Sequence, residues 1–220
     1  MKERPILFTG PMVRAILDGS KTQTRRIAKE FAGRDDLDGI LKRFPNQNGC
    51  PHGQPGDRLW VRESYRFTDV FDADSPARVG DRCIDAGYSK PWAPVQYDAD
   101  GARRDWRHTG TPPHSRDPQP GKGRPSIHMP RWASRILLEI VLVRVERLQD
   151  ISETDVRAEG VEPHEVGQFA LHGLSAGERA ELHRQAAVGP YSGLWDRING
   201  AGSWDANPWV WVVEFKRVIP

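Results

Sequence analysis

The sequence predicts an α+β fold built around a small β-barrel, and three observations carry that expectation. Strand-like segments are separated by isolated short helices without regular strand–helix–strand alternation, which argues against a doubly wound sheet. The stretch 134–147 holds Ile136, Leu137, Leu138, Ile140, Val141, Leu142, Val143 and Val145, a β-branched run suited to a long, bent strand. The stretch 209–218 alternates, with Trp209, Trp211, Val213 and Phe215 on one face and Val210, Val212, Glu214 and Lys216 on the other. A barrel, open or closed, protects the edges of such strands.

The remaining elements follow in chain order. Ile6-Leu7-Phe8 reads as a first strand. Pro11 suits the first turn of a helix, Val13, Ile16 and Leu17 give that helix one apolar face, and Gly19 stops it. Residues 30–55 read as loop until Gln54-Pro55-Gly56-Asp57 turns the chain into a strand at Arg58-Leu59-Trp60-Val61-Arg62. Residues 66–125 are rich in Pro, Gly, Asp and Arg and read as a loop-rich insertion with a few short strands. Ser152 and Asp155 form a capping box that opens a short helix ending at Gly160. Ser175 and Glu178 form a second box, opening a helix of roughly ten residues. Tyr191, Leu194, Trp195 and Ile198 then mark a separate short helix that ends near Asn199-Gly200. The chain is read as one domain, 1–220, with insertions at about 66–125 and 161–190.

Thirty-two basic and 30 acidic side chains leave a net charge of +2, too balanced for a bulk nucleic-acid binder. Cys50 and Cys83 lack CxxC spacing and read as free thiols of a reducing compartment. The first residues carry no apolar leader core, and no apolar run approaches the length of a membrane span, so a cytoplasmic location without membrane contact is expected. No phosphate-binding loop, HExxH or dinucleotide fingerprint is present. Cys50, His52, Cys83 and His108 fit no structural zinc spacing. Neither metal nor cofactor is expected.

The densest chemistry lies in Gly19-Ser20-Lys21-Thr22-Gln23-Thr24-Arg25-Arg26. Lys21 and Thr24 are close enough for one turn to bring amine and hydroxyl together. A lysine acts as a base only when burial or neighbouring cations depress its pKa, and Arg25 and Arg26 supply such cations. A hydroxyl beside that amine becomes a nucleophile, as in Ser–Lys variants of the catalytic triad. A basic turn touching phosphate or solvent is the plainer alternative.

Residues 17–26 resemble the G-x-K-T-x-T-x-R signature of ASCH domains, a branch of the PUA-like superfamily. Pro55–Glu63, Ile140–Leu148, Ile151–Gly160 and Trp211–Lys216 resemble further segments of that family, in the same order. The likeness implies a small β-barrel decorated by helices. Small bacterial members remove the acyl group from N4-acetylcytidine, with a Lys and a Thr from the signature loop and a Glu from the short helix. Carried over, those roles fall on Lys21, Thr24 and Glu159. The chain is longer than those minimal enzymes and also resembles larger, phage-type ASCH proteins. The resemblance thus implies an amidohydrolase of N4-acylated cytidine, with a roomier pocket than the minimal enzymes.

Arg26, Trp60 and Glu63 are candidate substrate contacts, Glu63 by pairing Arg26 or holding a ribose hydroxyl. An ordinary surface ion pair is the plainer role for Glu63. Trp60, Trp195 and Trp204 offer faces on which a pyrimidine can stack, or simply core. Arg103-Arg104-Asp105-Trp106-Arg107-His108, with His114 and Arg116, interleaves cations with an aromatic in a way that suits RNA or solvent. An RNA-binding module and a metal-dependent ribonuclease are therefore the rival functions to a nucleoside hydrolase.

Overall fold

The computed structural model describes residues 1–34, 39, 42, 49–106, 118–162, 164 and 172–218. The fold is α+β, and its contacts group into two compact units, each discontinuous in sequence. The first comprises Met1–Leu17, Arg58–Glu139 and Arg217–Pro220, the second Asp18–Asp57 and Ile140–Lys216.

In the first unit, strand β1 (Glu3–Leu7) runs parallel to the strand Arg58–Arg62, with Ile6 opposite Val61. Between them in sequence lie helix α1 (Gly10–Asp18), which buries Val13, Ala15 and Ile16, and strand β2 (Gln23–Ile27) of the second unit. Arg58–Arg62 is thus β3. The segment read as a loop-rich insertion is largely ordered where described. It forms β4 (Tyr65–Phe67), helix α2 (Pro76–Asp85), β5 (Val95–Tyr97) and β6 (Arg103–Arg104), the three strands pairing antiparallel in the order β4-β5-β6. Helix α2 was not expected. Ser75 caps it by accepting from the Arg78 amide, Pro76 occupies its first turn, and Val79 and Cys83, one turn apart, face inward. Tyr65, Phe67, Phe71, Val79, Val95, Tyr97 and Met129 pack as this unit's core, with Trp132 stacked on Phe67. The Tyr65 and Tyr97 hydroxyls donate to the carbonyls of His128 and Ala133, so both rings bury without an orphaned polar group.

Strand β7 (Leu137–Arg147) begins in the first unit, where Leu137, Leu138 and Glu139 pair antiparallel with β3, and continues in the second. There it neighbours β8 (Trp209–Val218), which pairs antiparallel with β2, Thr24 lying opposite Val213. Residues Trp209 to Val213 of β8 are buried on both faces, not on one as the alternation implied. Among the described residues the strand pairings do not close into a ring.

Helix α3 (Glu153–Ala158) opens on the expected capping box, with Ser152 accepting from the Asp155 amide and Asp155 answering to Ser152. The second box, at Ser175 and Glu178, opens a single helix α4 (Ala176–Asn199) of 24 residues rather than two short ones. Pro190 sits inside it and has no amide to give the carbonyl of Ala186, the usual partner four residues back. The His164 amide donates to that carbonyl instead, at 3.0 Å, and the helix continues. Leu148, Ile151, Val156, Val188, Tyr191, Trp195, Val210 and Val212 form the second core. Cys50 and Cys83 are both buried, and neither forms a disulfide. Among the described residues no helix is long and apolar enough to cross a membrane.

Candidate active site

The second unit brings the signature loop onto the end of α3 by backbone bonds alone. Asp18 accepts from both the amide and the hydroxyl of Ser20, and Gly19 takes a positive φ of 88° that a side chain resists. The Thr22 amide donates to the Ala158 carbonyl at 2.8 Å, and the Thr22 carbonyl accepts from the Phe215 amide at 2.8 Å. Lys21 and Glu159 thereby face each other as an antiparallel bridge. Glu159 caps α3 in helical conformation, and Gly160 (φ 77°) turns the chain away behind it.

The side chains close the same contact. Lys21 Nζ donates to Glu159 Oε2 at 2.7 Å and to the Glu159 carbonyl at 2.8 Å. Lys21 is 2% exposed, Thr24 3% and Glu159 4%. Burial pushes the Lys21 ammonium below its ordinary pKa; Glu159 opposes that shift, while Arg26 and Arg25 add to it. Desolvating an ion pair this thoroughly costs several kcal/mol per ion, about as much as the attraction returns, so the pair does little for stability.

Arg25 completes the cluster. Its guanidinium donates to Glu159 Oε1 at 3.2 Å, reaches Glu146 Oε1 through two nitrogens, and lies 3.4 Å from Asp155 Oδ2. Each oxygen of Glu159 therefore meets a different cation. Gln23, two residues before Arg25 on the same face of β2, donates to Asp155 Oδ1 and to the Asp155 carbonyl. Arg144 reaches Glu146, Asp155 and Glu214 from β7. Tyr191 of α4 is buried beside this network, and burial, with the Glu159 charge adding to it, raises its pKa well above the ordinary value.

Thr24 and Arg26 occupy the alternate positions of β2. Thr24 is buried, and among the described residues its hydroxyl makes no hydrogen bond. Arg26 is close enough to Glu159 and Lys21 to act on both electrostatically. Trp60 and Glu63 belong to the first unit. Trp60 is buried on β3 under the Arg62 guanidinium, 4.7 Å from its ring centre. Glu63 is not a surface residue and its partner is not Arg26: it is 1% exposed and takes a two-pronged bond from Arg135, 2.9 Å to each oxygen. Burial raises its pKa against that pairing. Trp195 is core, and Trp204 packs edge-on against Tyr191. Of the basic cluster, Arg103 stacks on Trp106 and Arg104 donates to the Trp132 carbonyl, whereas Arg107, His108, His114, Arg116 and the Pro112-Pro113 stretch lie outside the described residues. Among the described residues no group of three or more His, Cys, Asp or Glu side chains is arranged to hold a metal ion.

A buried Lys–Glu–Arg centre in an α+β chain is the class that fold and site define together. No family model matches the sequence, and no curated protein does. The chain is similar to a solved structure described as a high-resolution crystal structure of an ASCH domain from Lactobacillus crispatus JV V101. The two are 13% identical with a TM-score of 0.35, the likeness covering 98% of this chain and 79% of that one.

Proposed function

We propose that the protein is an amidohydrolase that removes the acyl group from N4-acylated cytidine, with Lys21, Thr24 and Glu159 as its catalytic residues. The observation that carries this reading is the contact of Lys21 with Glu159, two residues 138 apart in sequence, held at 2.7 Å in a dry setting with Thr24 three positions along. A desolvated amine in direct contact with a carboxylate is a pair built to pass a proton.

In the reaction, neutral Lys21 takes the proton of the Thr24 hydroxyl as Thr24 attacks the acyl carbon. Lys21 hands a proton to Glu159, Glu159 gives it to N4 of the cytosine, and the carbon–nitrogen bond breaks to release cytidine. Water then cleaves the Thr24 ester, the carboxylic acid leaves, and the site returns to its starting charge. Arg26, whose charge acts on both Lys21 and Glu159, is the proposed substrate-binding cation of this centre.

Incubation with N4-acetylcytidine and N4-benzoylcytidine, with and without a chelator, tests the reading by cytidine release. Turnover should be indifferent to chelator, lost in Thr24→Ala and Glu159→Gln, and partly kept in Thr24→Ser. Full activity in Thr24→Ala would remove the hydroxyl from the mechanism and leave Glu159 to activate water. RNA cleavage abolished by chelator, without nucleoside turnover, would replace the proposal with a metal-dependent ribonuclease. Salt-sensitive RNA binding without any turnover would replace it with an RNA-binding module.

A further inference from the structure

We infer that Arg25 is a positioning residue that fixes the carboxylate of Glu159 and frees Lys21 to change its protonation state; this rests on the proposed role of the Lys21–Glu159 pair. Arg25 fills an unspecified position of the signature, yet its guanidinium is buried and meets three carboxylates, those of Glu159, Glu146 and Asp155. An exposed arginine that merely decorated a strand would not be held so. A guanidinium stays protonated at any pH an enzyme meets. Glu159 therefore keeps one counter-ion on Oε1 whether or not the amine on Oε2 carries its proton.

Lys21 and Arg25 are the cations hydrogen-bonded to the Glu159 carboxylate among the described residues, so without Arg25 that buried carboxylate would depend on Lys21 for its bonded charge. With Arg25 in place, the carboxylate stays compensated and correctly turned while Lys21 cycles. The charged and titratable groups around Lys21 are Glu159 from the end of α3, Arg25 and Arg26 from β2, and, one layer further, Glu146 from β7, Asp155 from α3 and Tyr191 from α4. Arg25 sits between Lys21's own partner and the two outer acids. Taking away its positive charge should raise the pH at which Lys21 deprotonates. Taking away the negative charge of Glu146, which partly cancels Arg25, should lower it. The opposed signs separate an electrostatic role from general damage to the fold, which would move both variants alike.

The test compares wild type, Arg25→Met, Arg25→Lys and Glu146→Gln in two readouts: the pH profile of kcat/KM on N4-acetylcytidine, and titration of the Lys21 side-chain carbon resonance by NMR. Arg25→Met should move the basic-form limb and the Lys21 titration up by about one pH unit. Its kcat should fall about tenfold or more with KM little changed. Glu146→Gln should move both readouts down. Arg25→Lys, which keeps the charge, should stay close to wild type, and Glu146→Gln decides the matter should Arg25→Met fail to fold. Exposed Arg157 of α3, paired with Glu153 and Glu162 among the described residues, is the control, and Arg157→Ala should match wild type. An unmoved Lys21 titration in Glu146→Gln, or shifts of the same sign in Arg25→Met and Glu146→Gln, overturns the role of Arg25 even if the wild type is active. Opposed shifts in a wild-type background without nucleoside turnover would uphold Arg25's control of Lys21 and overturn the proposed function.

Discussion

Replacing Lys21 by Met isolates the charge at the centre of this protein, because Met keeps the length and volume of the lysine stem. The substitution removes two hydrogen bonds, to Glu159 Oε2 and to the Glu159 carbonyl, and leaves the carboxylate of a 4% exposed residue with one hydrogen-bonded cation among the described residues. Removing one member of a buried pair costs about 3–5 kcal/mol, since the survivor cannot recover its hydration. Arg25 still holds Glu159 Oε1 at 3.2 Å. The low end applies, about 3 kcal/mol. In a chain of this size each 1 kcal/mol moves the melting temperature by about 2–4 °C, giving a drop of roughly 6–12 °C. Adding Glu159→Gln should return part of the loss, since the double variant no longer strands a charge, with a coupling of about 1–3 kcal/mol. Urea unfolding followed together by tryptophan fluorescence and far-ultraviolet circular dichroism gives the four corners of the cycle. A Lys21→Met variant within about 0.5 kcal/mol of wild type would refute the reasoning, because it would mean that neither group is desolvated.

Ser152→Ala should cost about 1 kcal/mol through loss of the α3 cap, and should lower turnover as well, since Glu159 ends that helix. Pro190→Ala should leave helix content unchanged but weaken hydrogen-exchange protection of the His164 amide, because the backbone N–H gained at that position competes for the Ala186 carbonyl. Burial raises Tyr65 and Tyr97 to about 12 and Tyr191 well above its ordinary value, so at pH near 10 the native chain should show far less tyrosinate absorbance than the chain in guanidinium. The folded chain then binds more protons than the unfolded one, and stability should fall as pH rises from about 10 to about 12. Asp155 has the opposite sign: its bonds to Ser152, the nearby Arg25 charge and Gln23 outweigh burial and hold its pKa below 3.8. Its contribution should be full above that value and fade as pH falls through the folded pKa, which Asp155→Asn would show by flattening the acid limb of an unfolding titration.

Period and capping chemistry made most of the second unit legible in the sequence. The capping boxes at Ser152 and Ser175 start the helices where they stand, and the alternation of 209–218 identifies a strand. Lys21 and Glu159 could be named but their meeting could not be read from spacing, because it depends on Thr22 bonding at once to Ala158 and Phe215. Arg25 was legible only as a cation beside Lys21, and Glu146 and Arg144 not as site residues, although a signal existed. Lys21, Gln23 and Arg25 recur every second residue, as do Arg144 and Glu146 on a strand that is mostly apolar, and charges that share a face with core residues need partners. The continuity of α4 was not legible because Pro190 removes an intrahelical bond and a distant amide, that of His164, takes the carbonyl it leaves. Helix α2 was hidden because Arg78, Asp81, Arg82 and Asp85 outnumber the apolar residues that define its inner face. Glu63 looked like a surface carboxylate because Arg135, its partner, lies 72 residues away.

Release of cytidine from N4-acetylcytidine by wild type and by Lys21→Ala, each first shown to be folded, bears most directly on the account. The buried amine at the Glu159 carboxylate predicts steady, chelator-insensitive release by wild type and none above background by Lys21→Ala. Equal release by the two proteins would contradict it.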